Sequence, residues 1–211
     1  MTFSSCDLKS AKDYFAEAEK LEEQERYKEA IALLDKAISK DKDFLGAYIN
    51  RGADKSALGD FTAAISDYKI VTSLDPKNTL AYFNIGNNLK RLGDNKSAVE
   101  FYNRAFATKG GDGIYLDMQP NALIDLSSFD VQGHEIFYER GIALYQIDSL
   151  KKAYSDFQNC ISKNYMTAES SYWIGNIFLV NGNKEKACEF FNRAKALGDT
   201  DAQNSIRKYC N

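Results

Sequence analysis

Residues 79–112 read TLAYFNIGNNLKRLGDNKSAVEFYNRAFATKGGD, and this stretch decides the fold. In its first half Tyr82, Gly86 and Leu89 are spaced i, i+4, i+7, the spacing of one helical face. In its second half Ala98, Tyr102 and Ala105 repeat that spacing. Gly93 and Asp94 lie between, where a left-handed residue ends one helix before the next begins. The stretch therefore predicts two antiparallel helices joined by a tight turn. Small residues at Gly86 and Ala98 let the two axes approach closely, and bulk at the glycine would overpack the crossing by roughly 1–3 kcal/mol.

Working outward, the same small residues recur. Ala30, Ala64 and Ala98 stand 34 residues apart, as do Gly52 and Gly86. After one interruption the spacing of 34 returns in Ala153 and Ala187, and in Gly141 and Gly175. A fixed period of this length marks units that bury their apolar faces only against their neighbours. Glycine inside a helix costs up to about 1 kcal/mol relative to alanine, so its recurrence in four units points to a packing demand. The first unit, residues 11–44, departs most: it keeps Tyr14, Leu21, Tyr27, Ala30, Leu34 and Ala37 but has Ala18 in the glycine slot. A terminal unit meets water on one face, and its glutamates suit that position.

These residues resemble the tetratricopeptide repeat. The resemblance rests on Tyr48, Gly52, Gly59, Phe61, Ala64, Tyr68 and Pro76 in the second unit, and on Tyr82, Gly86, Leu89, Gly93, Ala98, Tyr102 and Ala105 in the third. Phe137, Gly141, Leu144, Ala153 and Phe157 carry it in the fourth, with Cys160 replacing the last alanine. Ile174, Gly175, Phe178, Gly182, Ala187, Phe191 and Ala194 carry it in the fifth. It implies an all-α, right-handed superhelical solenoid of five helical hairpins, with a C-terminal capping helix and one insertion between repeats 3 and 4. The expected layout is a tail over residues 1–10, repeats 1–3 over 11–112, the insertion over 113–133, repeats 4–5 over 134–201 and the capping helix over 202–211, all one continuous domain. The insertion holds Ile114, Tyr115, Leu116, Met118, Phe129 and Val131, too apolar for a solvated linker. It either shapes the binding face or patches the seam between its neighbours, and Pro120 could open a short helix in it.

In this family the first helix of each unit lines a concave groove. The resemblance then places Lys12, Phe15, Glu19 and Glu22 on that surface, followed by Ile49, Ala53 and Ser56. Phe83, Asn87, Lys90 and Arg91 follow, then Tyr138, Ile142, Tyr145 and Gln146, and last Tyr172, Asn176, Leu179 and Val180. Aromatic area and side-chain amides suit an extended peptide or a helix of a partner protein. The candidate partner-binding residues are Phe83, Asn87, Lys90, Arg91, Tyr138, Tyr145, Tyr172 and Asn176. Asn50, Asn84 and Asn87 either orient a ligand or serve local hydrogen bonding. Phe15, Glu19, Ile49 and Ala53 break the pattern by which one subclass of the family grips a terminal carboxylate, so no such clamp is expected.

Chemistry is sparse. The single histidine, His134, falls at a helix start, and nothing around it suggests a zinc site or a nucleophile triad. Gly110-Gly111-Asp112-Gly113 lacks the Lys-Ser/Thr and the preceding strand of a phosphate loop. The expectation is a non-catalytic protein–protein interaction scaffold, with no cofactor and no metal. The net charge of −3 gives no general attraction to nucleic acid. No stretch is apolar enough to span a membrane. Thr2-Phe3-Ser4-Ser5-Cys6 resembles the end of a bacterial lipoprotein signal, in which small residues precede a cysteine that becomes lipidated. The alternative expectation is therefore a lipid-anchored structural subunit of a bacterial cell-envelope complex. Location in the periplasm or on the outer membrane is favoured over the cytoplasm. Cys188 and Cys210 could bridge in an oxidising compartment or stay as two reduced thiols.

Overall fold

The computed structural model describes residues 8–108 and 131–210. Cys6 and most of the 113–133 insertion, including the stretch where a short helix is expected after Pro120, lie outside these residues. The chain divides into two compact units, Met1–Leu92 and Gly93–Asn211. The first holds α1 (Ala11–Glu22), α2 (Tyr27–Lys40), α3 (Leu45–Ala57), α4 (Phe61–Leu74) and α5 (Thr79–Arg91). The second holds α6 (Asn95–Thr108), α7 (Gly133–Gln146), α8 (Leu150–Ser162), α9 (Thr167–Val180), α10 (Lys184–Ala196) and α11 (Thr200–Tyr209). Within each unit every helix packs on the next in sequence. That includes α6 on α7.

One turn slot punctuates the hairpins. Residues Glu25, Gly59, Gly93, Asp148 and Gly182 hold it, and all five have positive φ, from 57° at Glu25 to 83° at Gly59 and Gly93. A Cβ at Gly59, Gly93 or Gly182 would meet nothing within 4 Å, so backbone conformation, not space, favours glycine there. After each of the three glycines the next residue caps the following helix, whereas Ser149 after Asp148 makes no side-chain cap bond. Asp60 Oδ1 accepts from Ala63 N at 3.1 Å, and Asp94 Oδ1 accepts from Ser97 N at 3.1 Å. Asn183 Oδ1 accepts from Lys186 N at 3.1 Å. The divergent first hairpin has Arg26 in this slot and no side-chain cap; Arg26 instead grips Glu29 through Nε and Nη2 at 2.7 and 2.6 Å. The capping helix begins at Thr200, two residues before its sequence-based bound, because Asp199 Oδ1 takes Ala202 N at 2.8 Å.

The helical glycines are a matter of space. A Cβ on Gly52 would stand 2.9 Å from the Tyr68 ring, and one on Gly141 2.9 Å from the Phe157 ring. On Gly175 it would stand 2.6 Å from Phe191 Cδ1 and Cε1. The aromatic of the second helix thus lies directly on the glycine of the first. The first hairpin trades these parts: Ala18 takes the glycine slot and Leu34 the aromatic slot, both fully buried. Gly175→Ala is expected to lower the unfolding free energy by about 1–2 kcal/mol, overpacking outweighing the gain in helix propensity. Adding Phe191→Leu, which copies the Ala18/Leu34 pair, should recover most of the loss. Denaturant midpoints of the two single variants and the double read the coupling directly.

Candidate functional site

In the second unit the helices α7 and α9 touch and present one aromatic face. Tyr138 and Tyr145 come from α7, and Tyr172, Trp173 and Asn176 from α9. Tyr145 meets Trp173 at 5.1 Å between ring centroids, and Tyr172 meets Trp173 at 6.0 Å and Phe191 at 5.8 Å. Trp173 stacks on the buried Phe157, 6.0 Å away with planes 5° apart, and its indole N–H donates to the Tyr138 hydroxyl. Tyr138 also sets its ring edge-on to Phe157 and Tyr165. Burial, opposed by that indole bond, pushes the Tyr138 hydroxyl up to about 12. The three tyrosines and the tryptophan are partly exposed and held by rings beneath them. Such a face offers rigid apolar area with little side-chain entropy left to lose.

The structure therefore brings Tyr138, Tyr145, Tyr172 and Asn176 together on neighbouring helices. Asn176 spends one amide hydrogen on the Tyr172 carbonyl, 3.0 Å away on its own helix. Trp173 was missed in the sequence because it falls one residue after the outward-facing Tyr172. The usable signal was its side-chain size at a slot filled by Asn50, Asn84 and Glu139 in the preceding units. His134 packs its ring against Tyr165 at 4.3 Å and is partly buried, not a plain surface residue. Cys160 is fully buried and donates its thiol to the His134 carbonyl at 3.5 Å; burial pushes that thiol up to about 12.

In the first unit α5 places Phe83, Asn87 and Lys90 partly buried and Arg91 exposed. Two of the outward positions read from the sequence turn inward instead. Phe15 is 5% exposed, with its ring 5.0 Å from Phe44 of the next hairpin, and Ile49 is also buried. Phe44 covers Phe15 because apolar side chains lose more by facing water. The asparagines also depart from local bonding. Asn50 Nδ2 reaches across to Glu22 Oε2 at 2.9 Å, and Asn84 bonds the Tyr68 hydroxyl. Between α1 and α3, Glu22 therefore faces Asn50 and the buried Asp54. Burial and the Glu22 charge push the Asp54 carboxyl up to about 7.

Among the described residues no group of three or more His, Cys, Asp or Glu is placed to hold a metal, and no helix is long and apolar enough to cross a membrane.

Each unit is thus a run of α-helices in which every helix packs on the next. The sequence profile of the tetratricopeptide repeat matches residues 49–112 and 138–202, more than half of the chain. The chain belongs to the tetratricopeptide repeat family, generally a non-catalytic scaffold for protein–protein interaction. It is 26% identical over 157 residues to tetratricopeptide repeat protein 1 of Schizosaccharomyces pombe, a match covering 69% of this chain and 13% of that protein. It is 34% identical over 98 residues to small glutamine-rich tetratricopeptide repeat-containing protein 2 of Mycosarcoma maydis, covering 46% and 28%. The chain thus spans well under a third of either relative. Among solved structures it resembles YrrB, described as a TPR protein with an unusual peptide-binding site, with a TM-score of 0.72 at 20% identity over 92% of this chain and 90% of that one. MamA from Desulfovibrio magneticus RS-1 gives 0.73 at 18% identity, over 89% and 94%. At these identities the likeness is one of fold.

Proposed function

We propose that this protein is a non-catalytic scaffold that holds a peptide or helix of a partner protein along the faces of its first helices. The observation that carries the reading is the α7/α9 face: Tyr145, Trp173 and Tyr172 form a partly exposed row of rings backed by Phe157 and Phe191. Large rigid aromatics of this kind dominate binding energy where a partner buries them. In the first unit Phe83, Asn87, Lys90 and Arg91 of α5 are the matching candidates, combining one ring with polar groups that can orient a backbone. The peptide-binding site named for the structurally similar YrrB is in keeping with this use of the fold.

The test is affinity capture of partners from native extract, followed by binding measurements on the protein recovered. Tyr145→Ala and Tyr172→Ala are each expected to weaken binding by about 1 kcal/mol or more. Circular dichroism on the same samples separates lost contact from lost fold. Unchanged affinity in well-folded variants would remove this face from the account.

A second reading concerns location. The Cys188–Cys210 bridge supports work in an oxidising compartment, such as the bacterial periplasm, with Cys6 as a lipid-bearing residue on an outer-membrane lipoprotein. In that setting the scaffold is a lipid-anchored subunit of an envelope complex. Cell fractionation combined with mass spectrometry of the native N-terminal region tests it. A cytoplasmic pool with an unmodified Cys6 would end it.

A further inference from the structure

The first unit pairs one buried aspartate with cations and leaves another without any. Asp67, its side chain 3% exposed, takes Arg51 Nη2 at 2.6 Å and Lys55 Nζ at 2.8 Å. Asp54, also 3% exposed, leaves Oδ2 without a hydrogen-bond partner, and so does Glu22 with its Oε1. One amide hydrogen reaches the pair, from Asn50 Nδ2 to Glu22 Oε2 at 2.9 Å. The charge acting on Asp54 is that of Glu22, of the same sign, and together with burial it holds the carboxyl well above its ordinary range. Glu19, one turn earlier on α1, adds negative charge beside Glu22. From α4 the Tyr68 hydroxyl approaches, and it is already engaged by Asn84.

The fold does not require a carboxylate in the Asp54 slot. One period later the slot holds Asn88, and in the last two hairpins Ala143 and Ile177, all three buried. A buried carboxylate oxygen with no donor weakens the folded state. What these oxygens lack is a positively charged group carrying several N–H donors.

We propose that Glu22, Asp54 and Asn50, at the seam of α1 and α3, form a subsite that receives a lysine or arginine side chain of the bound partner. The inference rests on the scaffold reading and narrows it to a partner segment with a basic residue. The incoming cation donates to Glu22 Oε1 and Asp54 Oδ2, two carboxylate oxygens that the fold leaves unmatched. Asn50 holds Glu22 through its other oxygen, Oε2, and Glu19 adds negative charge beside Glu22. Charge-assisted bonds of this kind are shorter and stronger than neutral ones. A neutral side chain of the same shape would leave both carboxylates unsatisfied, so the subsite discriminates by charge.

The test uses the full chain labelled with nitrogen-15, titrated at pH 8 with the peptide acetyl-Gly-Ser-Arg-Ser-Gly-amide. A twin peptide carries citrulline in place of arginine, which keeps the shape and removes the charge. Saturable shifts are expected at the Asn50 side-chain amide and along the last turn of α1, with little response to the citrulline twin. The double variant Glu22→Gln, Asp54→Asn should bind the arginine peptide about tenfold more weakly or worse. Both changes keep side-chain shape, and Asn88 already fills the equivalent slot, so the variant is expected to fold; its melting temperature is read alongside. Equal shifts with both peptides, or shifts that survive in the double variant, overturn the subsite. So does a response spread evenly over the exposed Glu23 and Glu25. The tyrosine variants above report separately on the scaffold reading: if they weaken partner binding while the arginine peptide fails, the subsite falls and the scaffold stands.

Discussion

Arg140→Ala is expected to lower the unfolding free energy by about 3–5 kcal/mol, the loss typical when one member of a buried ion pair is removed. Arg140 sends Nε and Nη2 to the two carboxylate oxygens of Asp156, each at 2.8 Å, and Nη1 to Asn103 Oδ1 at 2.7 Å. Its guanidinium also lies 4.7 Å from the centre of the Phe106 ring. The Asp156 side chain is 4% exposed, and burial outweighs Arg140 in raising its pKa. Without the arginine the carboxylate would be stranded. Arg51→Ala is the internal control: Asp67 keeps Lys55 at 2.8 Å, so the loss should be clearly smaller.

The repeat itself supplies the rescue. The Arg140 slot holds Ile174 one period later, and the Asp156 slot holds Phe190, which packs against the core around Ile174. Replacing the pair by its apolar counterpart, Arg140→Ile with Asp156→Phe, should return stability to within about 1–2 kcal/mol of the parent, because buried ion pairs often exchange for packed apolar residues at little cost. Urea unfolding of the single and double variants measures both. A double variant as unstable as the single one would mean that the pair does more than fill and neutralise its slot.

Reduction of Cys188–Cys210, or its replacement by serines, is expected to cost about 3 kcal/mol in the second unit. The bridge joins α10 to the end of α11 across 22 residues of sequence. The capping helix is only 10 residues long, and its buried residues are Ala202 and Ser205. An isolated helix that short is marginal in water, so its order depends on being tied down. Hydrogen exchange should therefore quicken first in α11, then along α10, with α1 to α5 unaffected. A melting temperature unchanged by reductant would show that packing alone holds the cap.

The all-helical class was legible in the period of 34 and the alternation of small and aromatic residues, because side chains a turn apart must share a face whatever surrounds them. The turn slot was legible through its glycines, and Glu25 and Asp148 took the same positive φ without that marker. Tyr138, Tyr145 and Tyr172, which the family resemblance places on outward slots, are partly exposed. Trp173 was not legible in the sequence, because a slot between two faces turns inward or outward only when neighbouring helices settle how much room is left.

Sequence by itself therefore determined the helices, their order and the glycine crossings, all set by side-chain spacing along a helix and its recurrence every 34 residues. Tertiary structure decided which polar groups meet. Asn50 finds Glu22 at a separation of 28 residues, Cys188 finds Cys210 at 22, and Asp54 is left without a cation while Asp67 has two. Those outcomes depend on distances between helices from different hairpins, and hydrogen bonds and charges respond to tenths of an ångström that periodicity does not encode.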